Sequence, residues 1–314
     1  MPCLWKLLSK GVCREPGRSG KADARGRVAI ADSKALKLSN SVKSTHPLIH
    51  LERGVLAFLR LIHNEEPEEL VHDFALFSAL SASAHDPIKH HTCYHGAPRP
   101  IPVSLSQGDL SISSRLVRSA MENAGAALLS LRVMTIGEND YNSIIRETGN
   151  KGETTAWGFG SHLKFIWEHF AQESSGDRVG VVCDRLGGRA AYALLLEREV
   201  AGCIVEIIEE CEHRSRYILR GKGPDGAARK MGVAFLTEGE SAHLPIALAS
   251  MAAKYVRELM MHRFNAYWNS FYREVNGRDI AATAGYALDA RRWLEEIGDD
   301  VLGRMDREAL VRIA

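Results

Sequence analysis

Val179-Gly180-Val181-Val182-Cys183-Asp184 decides how the rest of this chain is read: a short apolar run that ends in a carboxylate. Further on, Gly232-Val233-Ala234-Phe235-Leu236 is a second apolar run. It leads into Thr237-Glu238-Gly239-Glu240-Ser241 and then an alanine-rich helical stretch from His243 to Arg257. Runs this short, punctuated by glycine and acidic residues, have the length of buried strands. Two buried strands that each end in a carboxylate hold those groups side by side at one end of a sheet. Such an arrangement gathers divalent metal ions.

Working outward, the apolar pattern gives an α/β chain. Val28 to Ala31 reads as a short strand, and Leu51, Val55, Leu56 and Leu59 recur at helical spacing between Leu48 and Ile62. Helices are also expected over 70–80, 114–129, 142–148, 162–171 and 190–198, and strands over 131–135, 203–210 and 216–220. From Leu244 onward the chain reads as mostly helical. Residues 14–26 are polar and glycine-rich, a loop, and 84–108 are irregular with four prolines, which reads as a surface loop or insertion. Helix followed by buried strand, repeated, is the order of an α/β unit.

Composition excludes several classes. The 314 residues are 45% hydrophobic and 25% charged, ordinary for a globular chain. A net charge of +1 supplies no global basic field, so a nucleic-acid partner must be held by local patches. The six cysteines form no CxxC pair, as expected of reduced thiols in the cytoplasm. No apolar run reaches the length of a membrane span, and the start lacks the order of a signal peptide.

Asp184 is either a turn residue or a metal ligand, and Glu238 and Glu240, two apart, share one face if they lie on a strand. Glu210 joins them if its strand lies beside that of Asp184. Small residues at Ala247, Ala249, Ser250, Ala252 and Ala253 let the following helix approach the sheet, with Lys254 and Arg257 free to face phosphate. Arg185-Leu186-Gly187-Gly188-Arg189 is weakly like an anion loop. His85, His90, His91, Cys93 and His95 match no standard zinc spacing.

Several segments together resemble ribonuclease HII, the type 2 ribonuclease H family. Ala31-Asp32-Ser33-Lys34-Ala35-Leu36 is similar to the family's DSKxL segment, and Glu138-Asn139-Asp140-Tyr141-Asn142 to its acidic segment before a helix. Val181 to Asp184 resembles the strand ending in the VDG aspartate. Glu238-Gly239-Glu240-Ser241 resembles KGDS, and Ile246 to Arg257 the AASIxAK helix. Thr283-Ala284-Gly285-Tyr286 resembles the HxGYxT turn. The order agrees from about residue 28 to 298, with an insertion over 84–125.

The resemblance implies a ribonuclease H-like mixed sheet flanked by helices over 1–242, with a helical C-terminal segment over 243–314. It implies Mg²⁺ or Mn²⁺ held by Asp184 and Glu240, with Glu210 as a third ligand. It also implies an RNA–DNA hybrid, or DNA carrying a ribonucleotide, as the substrate of a monomeric enzyme. Lys34, Lys254 and Arg257 would contact that nucleic acid, and Tyr286 the sugar at the ribo–deoxy junction. Three departures stand against full membership. The family's DExGxG strand, source of two metal-binding carboxylates, has no counterpart in residues 1–31. Glu240 replaces an Asp, and Arg185 to Arg189 is unusually basic. The missing strand is expected upstream of Met1. Otherwise its carboxylates are replaced by Glu210, Glu238 or Asp289, or the chain binds nucleic acid without cutting it. A small-molecule α/β enzyme using the Arg185–Arg189 loop is the remaining alternative.

Overall fold

The protein is mixed α/β, and a computed structural model describes residues 3–17, 21–40, 44–62, 71–82, 91–173, 178–303 and 309–313. In chain order the described elements begin with helix α1 (Leu4–Leu7), strands β1 (Val12–Cys13) and β2 (Val28–Ala29) and helix α2 (Ser33–Leu36). Helices α3 (Ile49–Ile62), α4 (Asp73–Leu80), α5 (Gln107–Asn123), α6 (Glu138–Thr148) and α7 (Gly152–His169) follow. Then come β3 (Val179–Asp184), α8 (Ala193–Glu199), β4 (Ile204–Glu210), β5 (Arg214–Lys222) and β6 (Ala228–Leu236). The chain ends in α9 (Gly239–Ala242), α10 (Leu244–Asn276), α11 (Ala287–Ile297) and α12 (Asp299–Leu302).

The principal sheet has the order β3-β6-β5-β4. The last three strands form an antiparallel meander, while β3 runs parallel to β6, with Asp184 opposite Leu236. Side chains alternate across the pleat. Val179, Val181 and Cys183 therefore share a face with Met231, Val233, Phe235, Tyr217 and Leu219, and α7 and α8 cover that face. Tyr192 stacks on Phe235 at 3.6 Å between ring centroids, and Tyr217 meets both rings edge-on. Buried phenols need partners: Tyr217 Oη accepts the Tyr192 N–H at 2.9 Å, and Tyr192 Oη donates to the Arg189 carbonyl at 2.7 Å. Gly160 lets α7 lie against α8, because a Cβ there would sit 2.0 Å from Glu199 Oε2.

The chain forms two compact units of three segments each: 1–65, 104–131 and 151–252 in the first, and 66–103, 132–150 and 253–314 in the second. The division does not run at 242; α10 contributes its first turns to one unit and the rest to the other. The first unit also packs α3 against α5, and Val55, Phe58, Leu59, Leu110 and Val117 on them are buried. Trp5 anchors the N-terminal segment by donating to the Ile30 carbonyl at 3.0 Å. The second unit holds an aromatic cluster of Phe264, Tyr267, Trp268 and Trp293. It also holds a buried ion pair: Arg263 donates to both carboxylate oxygens of Asp73, at 2.7 and 2.6 Å.

Three expected elements change. Residues 131–135 make no strand; Val133 forms one isolated bridge with Ser81. The helix expected from Ser114 starts at Gln107, because Ser106 caps it by accepting the Asp109 N–H. Residues 104–131, which include the second half of the supposed insertion, belong to the first unit, while 83–90 lie outside the described residues. The helix expected over 162–171 begins at Gly152.

Candidate functional site

At the end of β3, Asp184 Oδ1 accepts the backbone N–H of Gly239 at 3.1 Å. Two segments far apart in sequence therefore meet at one end of the sheet, and the carboxylate of Asp184 remains exposed. The backbone locks this meeting. Arg185 N–H donates to the Leu236 carbonyl at 3.0 Å, and Thr237 N–H to the His213 carbonyl at 3.1 Å. Glu238 adopts a left-handed conformation, φ 53°, which turns the chain out of β6 before Glu240. Glu238 and Glu240 accordingly do not share a strand face; Glu240 lies in the short helix α9. A Cβ on Gly239 would stand 2.7 Å from Ile246 Cδ1, so a side chain there would require that methyl group to shift. Glu240 makes no side-chain hydrogen bond or ion pair among the described residues.

The segment around Asp32 joins the same unit. Asp32 caps α2 by accepting the Lys34 N–H at 2.8 Å, and the buried Ser33 hydroxyl bonds that of Ser250 on α10 at 2.9 Å. Lys34 is exposed. Arg14, which the sequence reading left in a polar loop, reaches the Ser241 carbonyl at 2.6 Å while its guanidinium rests 3.8 Å over the Trp5 ring. Its signal in the sequence is only a basic residue at the start of a polar stretch.

Glu210 does not join Asp184. Its strand, β4, is separated from β3 by β5 and β6, about 14 Å at normal strand spacing. Its register partner is Ser215, a residue of the helix-covered face, whereas Asp184 lies on the opposite one. Its carboxylate accepts the Tyr217 hydroxyl. The Arg185–Arg189 loop is equally committed: Arg185 donates to the carbonyls of Glu212 and Arg189, and Arg189 to Glu153 at 3.0 Å. Neither guanidinium is left to form an anion loop.

In the second unit, Lys254, Arg257 and Tyr286 converge. Lys254 Nζ donates to Tyr286 Oη at 2.6 Å and pairs with Glu258 at 3.0 Å. The Arg257 guanidinium lies 4.6 Å from the Tyr286 ring and donates to the Ala284 carbonyl at 2.6 Å. The hydrogen bond from Lys254, with Arg257 near, draws the phenol below its ordinary pKa although partial burial works against it. Asn265 fixes the turn by bonding both polar backbone groups of Thr283, each at 2.8 Å. Gly285 takes φ 71°, open to glycine, and Tyr286, 55% exposed, leads into α11. Asp289 is no spare ligand, because it accepts from Thr283, Ala284 and Arg292.

His85 and His90 lie outside the described residues; His91 and Cys93 are buried. Among the described residues no group of three or more His, Cys, Asp or Glu side chains is placed to hold a metal. A pair of ions needs several carboxylates. One Mg²⁺, which is commonly held by one or two carboxylates with water and substrate phosphate, fits the chemistry of Asp184 and Glu240. Among the described residues no helix is long and apolar enough to cross a membrane. Compared with protein-family models, curated proteins and solved structures, the chain matches none.

Proposed function

We propose that this chain binds RNA–DNA hybrids, or DNA with an embedded ribonucleotide, and cleaves the phosphodiester with help from one Mg²⁺ or Mn²⁺ ion. The observation that carries the reading is the Gly239 N–H on Asp184 Oδ1, which sets Glu240 one residue from a carboxylate at the end of β3. Asp184 and Glu240 would hold the ion; when bound it supplies charge neutralisation at the scissile phosphate and an acidified water. Lys34, Lys254 and Arg257 would neutralise backbone phosphate, and the exposed Tyr286 ring offers a face for a sugar. The six free cysteines support a reducing, cytoplasmic setting. A ribonuclease H-like architecture belongs to this proposal and rests on the ordered motifs.

A second reading, binding without cleavage, is favoured because no cluster of three or more acidic, His or Cys side chains is gathered among the described residues, where paired ions need several carboxylates. One experiment separates them. The full chain is incubated with a labelled RNA–DNA hybrid and a duplex containing one ribonucleotide, with Mg²⁺, Mn²⁺ or EDTA, beside Asp184→Asn and Glu240→Gln. Metal-dependent cleavage lost in both variants supports the enzyme. Binding at equal affinity in all three proteins without cleavage leaves the binding module, and absence of both sinks the proposal.

A further inference from the structure

Among the described residues, the helices packed on the principal sheet cover one face. Its other face carries Gly180 and Val182 from β3, Lys230, Gly232 and Ala234 from β6, and Arg216 and Ile218 from β5. Gly180 and Gly232 are register partners. A Cβ added at Gly180 would meet nothing within 4 Å, and one at Gly232 only backbone carbonyls at 3.9 and 4.0 Å. No side chain among the described residues lies over the pair. The result is a depression of about 670 Å³ along β3, β6 and β5.

Its chemistry is divided. The floor is glycine, alanine and aliphatic: Val182, Ile218 and, from the edge strand, Ile208, which is 42% exposed. The rim is basic, formed by Arg178, Arg216 and Lys230, with Glu173 the acid among the lining residues. Arg178 and Lys230 make no side-chain hydrogen bond or ion pair among the described residues, and Arg216 has only Glu209 at 3.9 Å. An apolar sheet face is ordinarily buried beneath another layer. Three strands span about 10 Å, the width of one α-helix. Single-stranded nucleic acid wants aromatic rings for its bases, and no aromatic side chain projects from this floor. The basic rim selects acid.

We propose that this face docks an amphipathic helix of a partner protein, its apolar stripe over Gly180 and Gly232 and its acidic flanks against Arg178, Arg216 and Lys230. Helix-in-groove recognition of this kind reads anchors at helical spacing. The docking reading does not rest on the proposed nuclease activity, although Asp184 lies on the same face at the end of β3.

The test uses the full chain and fluorescence anisotropy with a stapled helical peptide of about 20 residues, leucines on one face and glutamates flanking them. Its twin carries lysines in place of the glutamates. The glutamate peptide is expected to bind saturably, and the lysine twin roughly tenfold more weakly or worse. Gly232→Leu, which fills the depression, and Lys230→Glu, which is exposed and leaves the fold intact, are each expected to weaken binding roughly tenfold with unchanged circular dichroism. Equal affinity for the two peptides, no saturable binding, or indifference to both substitutions overturns the proposal. So does a concentration-dependent dimer in light scattering that Gly232→Leu abolishes, which would give the face to a second copy. Displacement of the peptide by a tighter-binding oligo(dT) strand would give it to nucleic acid.

Discussion

Replacing Arg263 by Leu should cost the second unit a large part of its stability. Arg263 and Asp73 are 2% and 1% exposed, and the guanidinium grips both carboxylate oxygens at 2.6 and 2.7 Å. The same guanidinium donates to the carbonyls of Tyr94 at 3.2 Å and Ala97 at 3.1 Å and lies 3.7 Å over the Phe74 ring. Asp73 in turn accepts the N–H groups of Phe74 and Arg99, each at 3.0 Å, so the pair ties α4, the 94–99 segment and α10 together. Removing the cation leaves a buried carboxylate held by two amides alone, and breaking one half of such a pair costs about 3–5 kcal/mol. The loss would lower the melting temperature by on the order of 10 °C. Differential scanning calorimetry measures it, and hydrogen exchange at α4 and at residues 94–99 locates it. The double variant Asp73→Leu/Arg263→Leu should recover much of the loss, because no charge remains unpaired. A single-variant cost below about 1 kcal/mol would refute this account of the pair, since that is what an exposed one is worth.

Other outcomes follow from named groups. Burial, with Arg53 close by, pushes the His50 imidazole down to about 4, below the ordinary 6.5 of the unfolded chain. Below about pH 6.5 the unfolded chain binds a proton that the folded one does not take until about pH 4, so stability should fall through that window by on the order of 3 kcal/mol. Urea titrations of the wild type and His50→Gln between those limits check the slope, which the variant should flatten. Lys254→Met should raise the Tyr286 phenol toward its ordinary pKa, read as the difference in ultraviolet titration between each protein and its Tyr286→Phe partner; no change would remove Lys254 as the cause. Burial pushes the thiols of Cys93 and Cys183 up to about 12, while Cys211 is exposed. Ellman's reagent should label Cys211 in the native protein well before those two, with mass spectrometry naming the sites. Early labelling of Cys183 would show that β3 opens.

Much of the sheet is legible in the residues. β3, β4, β5 and β6 all overlap the short runs read as strands, and the contact between Asp184 and the Gly239 segment follows from the two runs that end there. Glu210 shows where such reading stops. A register irregularity between Ile207 and Glu209 inserts one residue into β4. Without it, Glu210 would oppose Arg214, on the face of Asp184; with it, Glu210 opposes Ser215 and turns to the helices. A bulge leaves no mark in the pattern of residue types. Gly160 hides α7 in a similar way: glycine lowers helix propensity, yet the space a side chain would take there is filled by Glu199. Arg14 is found only when Trp5 and Ser241 are brought to it by the fold.

The interleaving of the two units has a consequence for biosynthesis. Each is assembled from three separated stretches, and the first is not complete until residue 252 has been made. A ribosome therefore releases most of the polypeptide before either body owns all its parts, and early segments must wait for late ones. No single cut of the gene yields one body alone: a cut after residue 252 keeps the whole of the first with two stretches of the second. A deletion meant to isolate the sheet would also remove, or leave dangling, stretches that belong to its neighbour. Variation in this protein is thus constrained as a whole, since an insertion or a truncation in one stretch changes the chain that both bodies share.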